Sequence, residues 1–182
     1  MSSNRRFHTD SRLSENFTER GLATLTGQEP HKWGRYILKE LLDNALEAVE
    51  EDSNNPHIDI NIETAKAYRG WKPTEIQVHD NGAGIEEERV EKIFENIDKF
   101  GGTKRHYNLP TRGNIGNALM TILGIHGLVG NPLTVKSRDK VHEISVEEDT
   151  VSNVPKIIRD SKPVNIDGTE IVADLCIPGA EA

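Results

Sequence analysis

Apolar residues recur every three to four positions in several segments of the chain, and this spacing places them on one face of a helix. The longest such segment predicts a helix that begins around His31 to Arg35 and ends near Glu51, before the helix-breaking sequence SNNP. Shorter helical patterns begin near Phe17 and occupy EEERVEKIFENI and NIGNALMTILGIHGL. The apolar stripe of the long helix consists of Ile37, Leu38, Leu41, Leu42, Ala45, Leu46 and Val49.

Elsewhere apolar and polar residues alternate, which is typical of strands with one buried face. HIDINIET and TEIQVHD flank AYRGWKP, and this arrangement predicts a hairpin whose turn is AYRGWKP. Four alternating segments follow the last predicted helix: LTVKSR, VHEISVEE, PKIIRD and TEIVADLCI. Helices early in the chain, strands late and a helix between strands predict an α+β fold. We expect a two-layer α/β sandwich, in which helices cover one face of a mixed, mostly antiparallel sheet.

The composition is typical of one water-soluble domain, with 182 residues, 35% of them apolar and 29% charged. We assign residues 1–16, rich in Ser, Asn and Arg, to a flexible N-terminal arm, and residues 17–182 to the domain. No apolar run reaches the roughly 18 residues of a membrane span, and MSSNRRFHTDSRLSENF lacks the apolar core of a secretory signal. The single cysteine, Cys176, lies in the apolar run IVADLCI, where a buried thiol is expected. These features favour the cytoplasm.

Two polar residues one turn apart, Glu40 and Asn44, interrupt the apolar pattern of the long helix. A solvated helix face explains such a pair on its own. A site for a metal ion and a nucleotide explains it too, because an asparagine amide oxygen is a hard ligand of the kind that Mg²⁺ prefers. A glutamate about 6 Å away could then orient and deprotonate a water molecule for attack on phosphorus. The choice between these two interpretations depends on the other motifs of the chain.

HDNGAGI, residues 79–85, follows directly on a predicted strand. Asp80 ends that strand, and a buried carboxylate there can accept a hydrogen bond from an exocyclic amine such as that of adenine. Gly82 and Gly84 permit positive φ and let a flat ligand approach the backbone. A hairpin or loop turn is the alternative, since Asp-Asn-Gly is common in turns. The later DGTEIVADL, with Gly168 and Thr169, by itself indicates only a turn.

The formal net charge of −8 argues against broad nucleic-acid binding, because such surfaces are usually basic, and a contact with DNA is not evident. One loop, KFGGTKRHYNLPTRG, nevertheless has basic residues and no acidic ones. Gly113 and Gly116 lie where this loop meets a predicted helix, whose free N–H groups suit phosphate oxygens. The loop fits a lid over a polyphosphate, and a plain surface loop is the alternative. Its basic residues are Lys99, Lys104, Arg105 and Arg112.

These four segments, in this order, resemble the motifs of the GHKL superfamily, the Bergerat-fold ATPases of type II topoisomerases, the mismatch-repair protein MutL, heat-shock chaperones and histidine kinases. KELLDNALEA resembles the N-box, DNGAGI the G1 box, RGNIGNAL the G2 box and DGTEI the last box. The resemblance covers roughly residues 30–177 and is strongest to the B subunit of topoisomerase VI. The segment Phe17 to Gly27 also resembles the leader helix of that protein. A Walker A sequence and a complete G-x-G-x-x-G are absent, so P-loop and Rossmann interpretations lack support.

The resemblance implies a role for each matching residue. Glu40 is expected to act as the general base for water, and Asn44 to bind the Mg²⁺ that bridges the phosphates of ATP. Asp80 is expected to receive the adenine amino group, with Thr169 supporting it through water. The other expected nucleotide contacts are the adenine-pocket residues Gly82, Gly84 and Ile85, the lid residues Gly113, Asn114, Ile115, Gly116 and Asn117, and Lys104.

The resemblance therefore implies a Mg²⁺-dependent ATPase in which slow hydrolysis is coupled to lid closure and homodimer formation. A topoisomerase A-like nuclease subunit is the expected protein partner. The G2 box departs from many members at Asn117-Ala118, where they have a further glycine or small residue. Two alternatives stand beside this hypothesis. One is a nucleotide-gated interaction module with little hydrolysis, and the other is a histidine-kinase-like domain, for which His8 and His31 lack a phosphoacceptor context.

Overall fold

The structure, a computed structural model, describes residues 16–52, 54–67, 70–95, 115–149 and 154–175. Within these ranges no helix is long and apolar enough to cross a membrane. The helices, in chain order, are α1 (Glu19–Thr26), a short 3₁₀ helix (Pro30–Lys32), α2 (Trp33–Asp52), α3 (Glu87–Glu95) and α4 (Ile115–Val129). The strands are β1 (Ile58–Ala67), β2 (Gly70–Asp80), β3 (Leu133–Ser137), β4 (Lys140–Asp149), β5 (Val154–Pro163) and β6 (Thr169–Asp174).

In the described part of the chain, six strands form one sheet in the order β1-β2-β6-β3-β4-β5. Every neighbouring pair is antiparallel, so the sheet described is not mixed. β6, the last of these strands along the chain, lies between β2 and β3. This position sets Thr169 opposite Asp80 on one side and opposite Ser137 on the other. Two distant sequence motifs therefore meet at one end of the sheet.

The helices pack on one face of the sheet, which confirms the predicted two-layer sandwich. α2 contacts β2 and β6, and α4 contacts β3, β4 and β6. Alternate side chains of β3, β6 and the second half of β2 enter the core, as their period-two patterns predicted. Most residues of β1 are exposed, so the expectation of one buried face is wrong for this strand. The fully buried core residues are contributed by both layers and include Leu22, Ile37, Leu41, Leu119, Ile122, Leu123, Leu133, Val135 and Ile144.

The helix α2 positions the candidate residues of KELLDNALEA. The buried side chain of Trp33 fixes the start of this helix. Its Nε1 donates a hydrogen bond to the carbonyl oxygen of Gln28 across 3.1 Å. Leu41 and Ala45 of the predicted apolar stripe are buried against the sheet. Asn44 lies at the edge of that stripe and is buried as well, with 8% of its surface exposed. Asn44 therefore faces the interior of the protein. The alternative interpretation, a solvated helix face, does not explain this position.

The leader helix and the hairpin agree with the predictions in position, with small differences in extent. α1 begins at Glu19, after Thr18 accepts a hydrogen bond from the N–H of Gly21 at 3.1 Å, as an N-cap does. The β1–β2 pairing continues to Ala67 and Gly70. Strand residues thus occupy most of the segment predicted as a turn, because the ladder gains hydrogen bonds by extending.

Ion pairs hold α3 to the distal strands of the sheet. Arg159 of β5 contacts Glu91 at 2.5 Å, and Lys140 of β4 contacts Glu87. Through α3, these pairs fix one end of the loop after β2.

Three predicted features lie outside the described residues: nearly all of the 1–16 arm, the basic loop of residues 99–113, and Cys176.

Candidate functional site

A buried carboxyl group stands where β2 ends. Asp80 is 6% exposed, and its Oδ1 accepts a hydrogen bond from the N–H of Gly82 at 2.9 Å. The backbone N–H of Thr169 donates to the same carboxyl group. Burial raises the pKa of Asp80 above its ordinary value, and the two N–H donors oppose that rise only in part. The strand end thus presents an oriented hydrogen-bond acceptor in a poorly solvated place.

Two glycines let the chain close around Asp80. A β-carbon on Gly82 would lie 2.7 Å from the carbonyl oxygen of Ala48 in α2, so only glycine brings the loop this near the helix. Gly168 has φ +71°, and a β-carbon there would collide with the backbone of Asp80. Both contacts involve backbone atoms, which cannot rotate away. The DNGAGI and DGTEI motifs therefore need these glycines for close packing.

Ser137, at the end of β3, joins the loop after β2 to the start of β6. Its Oγ accepts a hydrogen bond from the N–H of Ile85 at 2.6 Å and donates one to the carbonyl oxygen of Gly168 at 3.1 Å. It also lies 3.3 Å from Oγ1 of Thr169. Arg138 covers the loop from outside and donates from Nε to the carbonyl oxygen of Ala83 at 3.0 Å.

These elements enclose a cavity between α2 and the sheet. Asp80 and Thr169 are its polar groups on the sheet side, and Asn44 is the polar group on α2. Apolar walls with a few convergent polar groups are typical of small-molecule sites. The remaining lining residues are apolar: Leu41, Ala45, Ala48, Val78, Ile85 and Ile171.

Asn44 has unused hydrogen-bonding capacity in this cavity. Its Nδ2 is buried and makes no hydrogen bond within the described ranges. An unpaired buried polar atom costs about 1–3 kcal/mol. A ligand in the cavity, or a water molecule that a ligand displaces, would provide the hydrogen-bond acceptor that Nδ2 lacks.

Glu40 lies one turn before Asn44 on α2, with its side chain 21% exposed. Its Oε1 is 3.1 Å from Nζ of Lys39, which also contacts Asp43 at 2.7 Å. These two carboxylates raise the pKa of Lys39, so the lysine is charged at neutral pH. Burial, and then the charge of Glu40, raise the pKa of Tyr36, which hydrogen-bonds to Thr121 of α4. Glu40 is thus a partly exposed carboxylate beside the cavity-lining helix.

The structure brings together six of the thirteen predicted site residues. Asn44, Asp80, Ile85 and Thr169 line the cavity, while Gly82 and Gly84 form the adjoining loop. Glu40 lies on the same helix as Asn44 but does not line the cavity. The backbone of Ile115, Gly116 and Asn117 forms the first turn of α4. Lys104, Gly113 and Asn114 lie outside the described residues.

Sequence reasoning missed Ser137, Ala48 and Arg138. A signal for Ser137 exists in LTVKSR, where it follows Leu133 and Val135 on the buried face as an inward polar residue. Its contacts with Ile85 and Gly168 depend on the strand order, which a local pattern does not encode. For Ala48 and Arg138 the sequence contains no comparable signal.

Comparison with known proteins defines the class of protein. The family described as histidine kinase-, DNA gyrase B- and HSP90-like ATPase matches residues 32–156. The chain therefore belongs to this family of ATPases, and the GHKL resemblance is confirmed.

Similar curated proteins are named as the B subunit of type 2 DNA topoisomerase 6. The chain is 30% identical to that of Thermococcus gammatolerans over 141 residues, which are 72% of the chain and 23% of the relative. It is 32% identical to that of Pyrococcus horikoshii over the same shares. The Archaeoglobus fulgidus protein is 29% identical over 160 residues, 85% of the chain and 25% of the relative. The chain thus spans about a quarter of the length of these relatives.

Proposed function

We propose that this domain binds ATP in the cavity, with the adenine amino group on Asp80. The buried carboxyl group of Asp80 at the polar side of an apolar cavity is the observation that carries the proposal. An ionised carboxylate accepts hydrogen bonds and cannot donate them, so it suits an amino group. Apolar residues such as Val78 and Ile171 suit the faces of a purine ring. Membership of an ATPase family favours ATP over other ligands that carry an amine.

Asn44 is the residue that would hold Mg²⁺. Its side chain lines the cavity, where the amide nitrogen, which has no partner among the described residues, can donate to a phosphate oxygen and leave the amide oxygen for a cation. An amide oxygen belongs to the donors that Mg²⁺ accepts beside substrate phosphates. Bound there, Mg²⁺ would supply charge neutralisation for the phosphate groups.

We assign the hydrolytic step to Glu40. Its carboxylate lies one helical turn from Asn44, so a water molecule that it orients is near phosphates held at Asn44. In this step the water gives its proton to Glu40, its oxygen forms a bond to the γ-phosphorus, and ADP departs as the β–γ bridging bond breaks. A positioned general base contributes about 10²–10⁴-fold to such a rate. We expect this turnover to be slow, because hydrolysis would serve a conformational cycle.

We further propose that ATP closes the basic loop of residues 99–113 and promotes a homodimer. The loop leads directly into α4, and the free N–H groups of a helix start suit phosphate oxygens. The relatives are named as the B subunit of a topoisomerase. A topoisomerase A-like nuclease subunit is therefore the protein partner that we propose for the protein of which this domain is a part.

Titration calorimetry with ATP and with GTP, both with Mg²⁺, tests the proposed site, and phosphate release from the same samples tests turnover. The proposal predicts ATP binding at least about tenfold tighter than GTP binding, because GTP has an oxo group where ATP has the amine. Equal affinities would contradict the assignment of Asp80. Tight ATP binding without phosphate release would favour the nucleotide-gated interaction module.

A further inference from the structure

Glu47 of α2 contains a second buried polar atom without a partner. Its Oε2 is buried and makes no hydrogen bond within the described ranges, as is also true of Nδ2 of Asn44. Glu47 takes part in no ion pair between described residues either. A carboxylate oxygen that is removed from water needs a hydrogen-bond donor or a cation. The described part of the chain supplies neither to this atom.

Glu47 lies beside Asn44 on the face of α2 that also contains Glu40. Residues three apart on a helix are neighbours, with about 5–6 Å between their β-carbons. Helical side chains point back toward the N-terminus, so the side chain of Glu47 is directed at the turn that contains Asn44. Oε2 and Nδ2 are not bonded to each other. The carboxylate and the amide are therefore adjacent groups with unused bonding capacity.

The other carboxyl groups of this region are already engaged. Glu40 and Asp43 both contact Nζ of Lys39, at 3.1 and 2.7 Å. Asp80, on the sheet side of the cavity, accepts two hydrogen bonds from backbone N–H groups. Of these four acidic residues, Glu47 is therefore the one whose carboxylate has no protein partner.

We propose that Glu47 is a second protein ligand of the Mg²⁺ that accompanies ATP, beside the amide oxygen of Asn44. Mg²⁺ at nucleotide sites is usually bound by one or two carboxylates together with substrate phosphates. Asn44 supplies an oxygen without charge, and Glu47 supplies the carboxylate. The proposal rests on the proposed function and adds a residue to its metal site.

A carboxylate in this position has opposite effects on ATP binding with and without the metal. With Mg²⁺, Glu47 binds the cation and favours the nucleotide. Without Mg²⁺, the same carboxylate repels the phosphates, because like charges lie close together in a poorly solvated place. A side chain with a purely structural role would differ from this, since its loss would weaken ATP binding under both conditions.

Titration calorimetry of wild type and Glu47→Ala with ATP, in Mg²⁺ and in EDTA, tests the proposal. The measured quantity is the ratio of the ATP affinity in Mg²⁺ to that in EDTA. We expect this ratio to fall at least about tenfold in Glu47→Ala, and a tenfold change equals about 1.4 kcal/mol. The affinity of Glu47→Ala in EDTA should equal or exceed that of wild type.

Two further variants complete this test. Glu50→Ala removes an exposed glutamate of the same helix and should leave the ratio unchanged. Glu47→Gln retains an oxygen donor without the negative charge, so its ratio should lie between those of wild type and Glu47→Ala. If Glu47→Ala does not fold, a wild-type ratio in Glu47→Gln would overturn the proposal and a lower ratio would support it.

The outcomes distinguish this inference from the proposed function. Tighter ATP binding by wild type in Mg²⁺ than in EDTA, with the same ratio in Glu47→Ala, would overturn the role of Glu47 alone. Equal wild-type affinities under the two conditions would overturn the metal roles of Asn44 and Glu47 and keep the adenine site. A wild-type protein without affinity for ATP would overturn the proposed function and this inference together.

Discussion

Gly82 donates its backbone N–H to Oδ1 of Asp80 across 2.9 Å. With the second donor, the N–H of Thr169, this bond holds the carboxyl group in one orientation. Burial nevertheless raises the pKa of Asp80, so the folded protein keeps an ionisable group where its charge is disfavoured. Such an arrangement is typical of groups retained for a ligand rather than for stability.

The first prediction concerns the stability of Asp80→Asn without nucleotide. Because the pKa of Asp80 is higher in the folded than in the unfolded state, the folded state binds its proton more tightly. The contribution of Asp80 to the free energy of unfolding therefore falls as pH rises from the unfolded pKa through the folded one. Asparagine does not titrate, and its Oδ1 can still accept from Gly82. We expect the variant to be at least as stable as wild type at about pH 7, with the difference shrinking toward about pH 4.

Urea unfolding at a series of pH values measures this difference, with Asp167→Asn as the control because Asp167 is exposed nearby. A loss of more than about 1 kcal/mol at pH 7 in Asp80→Asn alone would show that the carboxylate stabilises the fold.

Much of this architecture could be predicted from local patterns. The stripe of α2 and the alternation of β2 predicted both elements, and the motif DNGAGI predicted a ligand role for Asp80. The sequence could not predict that Ser137 lies opposite Thr169. That pairing joins β3 to β6, and β4 and β5 separate these two strands along the chain. The burial of Asn44 likewise depends on where α2 meets the sheet, which periodicity alone left open.

A second prediction concerns Asn44→Ala. The variant should lose Mg²⁺-dependent ATP binding and keep binding measured in EDTA, because the missing atom is a metal ligand. The nucleotide-free variant should not be destabilised by a lost hydrogen bond, since Nδ2 has no partner among the described residues. Calorimetry with Mg²⁺ and with EDTA checks the binding, and Asn61→Ala, on the exposed strand β1, is the control. Equal losses under both conditions would assign Asn44 another role.

A third prediction concerns Glu40→Ala. This variant should bind ATP nearly as wild type does and release phosphate about 10²–10⁴-fold more slowly, the usual loss for a general base. Single-turnover phosphate release is the measurement. Glu50→Ala, an exposed glutamate of the same helix, should behave as wild type. Turnover at the wild-type rate in Glu40→Ala would remove Glu40 from the hydrolytic step.

A fourth prediction concerns the basic loop and the dimer. A non-hydrolysable ATP analogue should protect residues 99–112 from proteolysis, because phosphate oxygens would contact this loop and the start of α4. Light scattering on the same samples should show a shift to the mass of a dimer. Protection without a change in mass would retain the lid and exclude the dimer, and cleavage at an unchanged rate would exclude a phosphate lid.

Titration of Asp80→Asn with ATP and with ITP, which has a 6-oxo group, tests whether Asp80 receives the amino group of adenine. We expect ATP affinity to fall by more than tenfold, about 1.4 kcal/mol, because an amide can turn a donor toward the amine. The affinity for ITP should fall less or rise, since the same amide can donate to the oxo group. Asp167→Asn should change neither value. An ATP affinity of Asp80→Asn equal to that of wild type would show that Asp80 does not receive the amino group and would place adenine elsewhere.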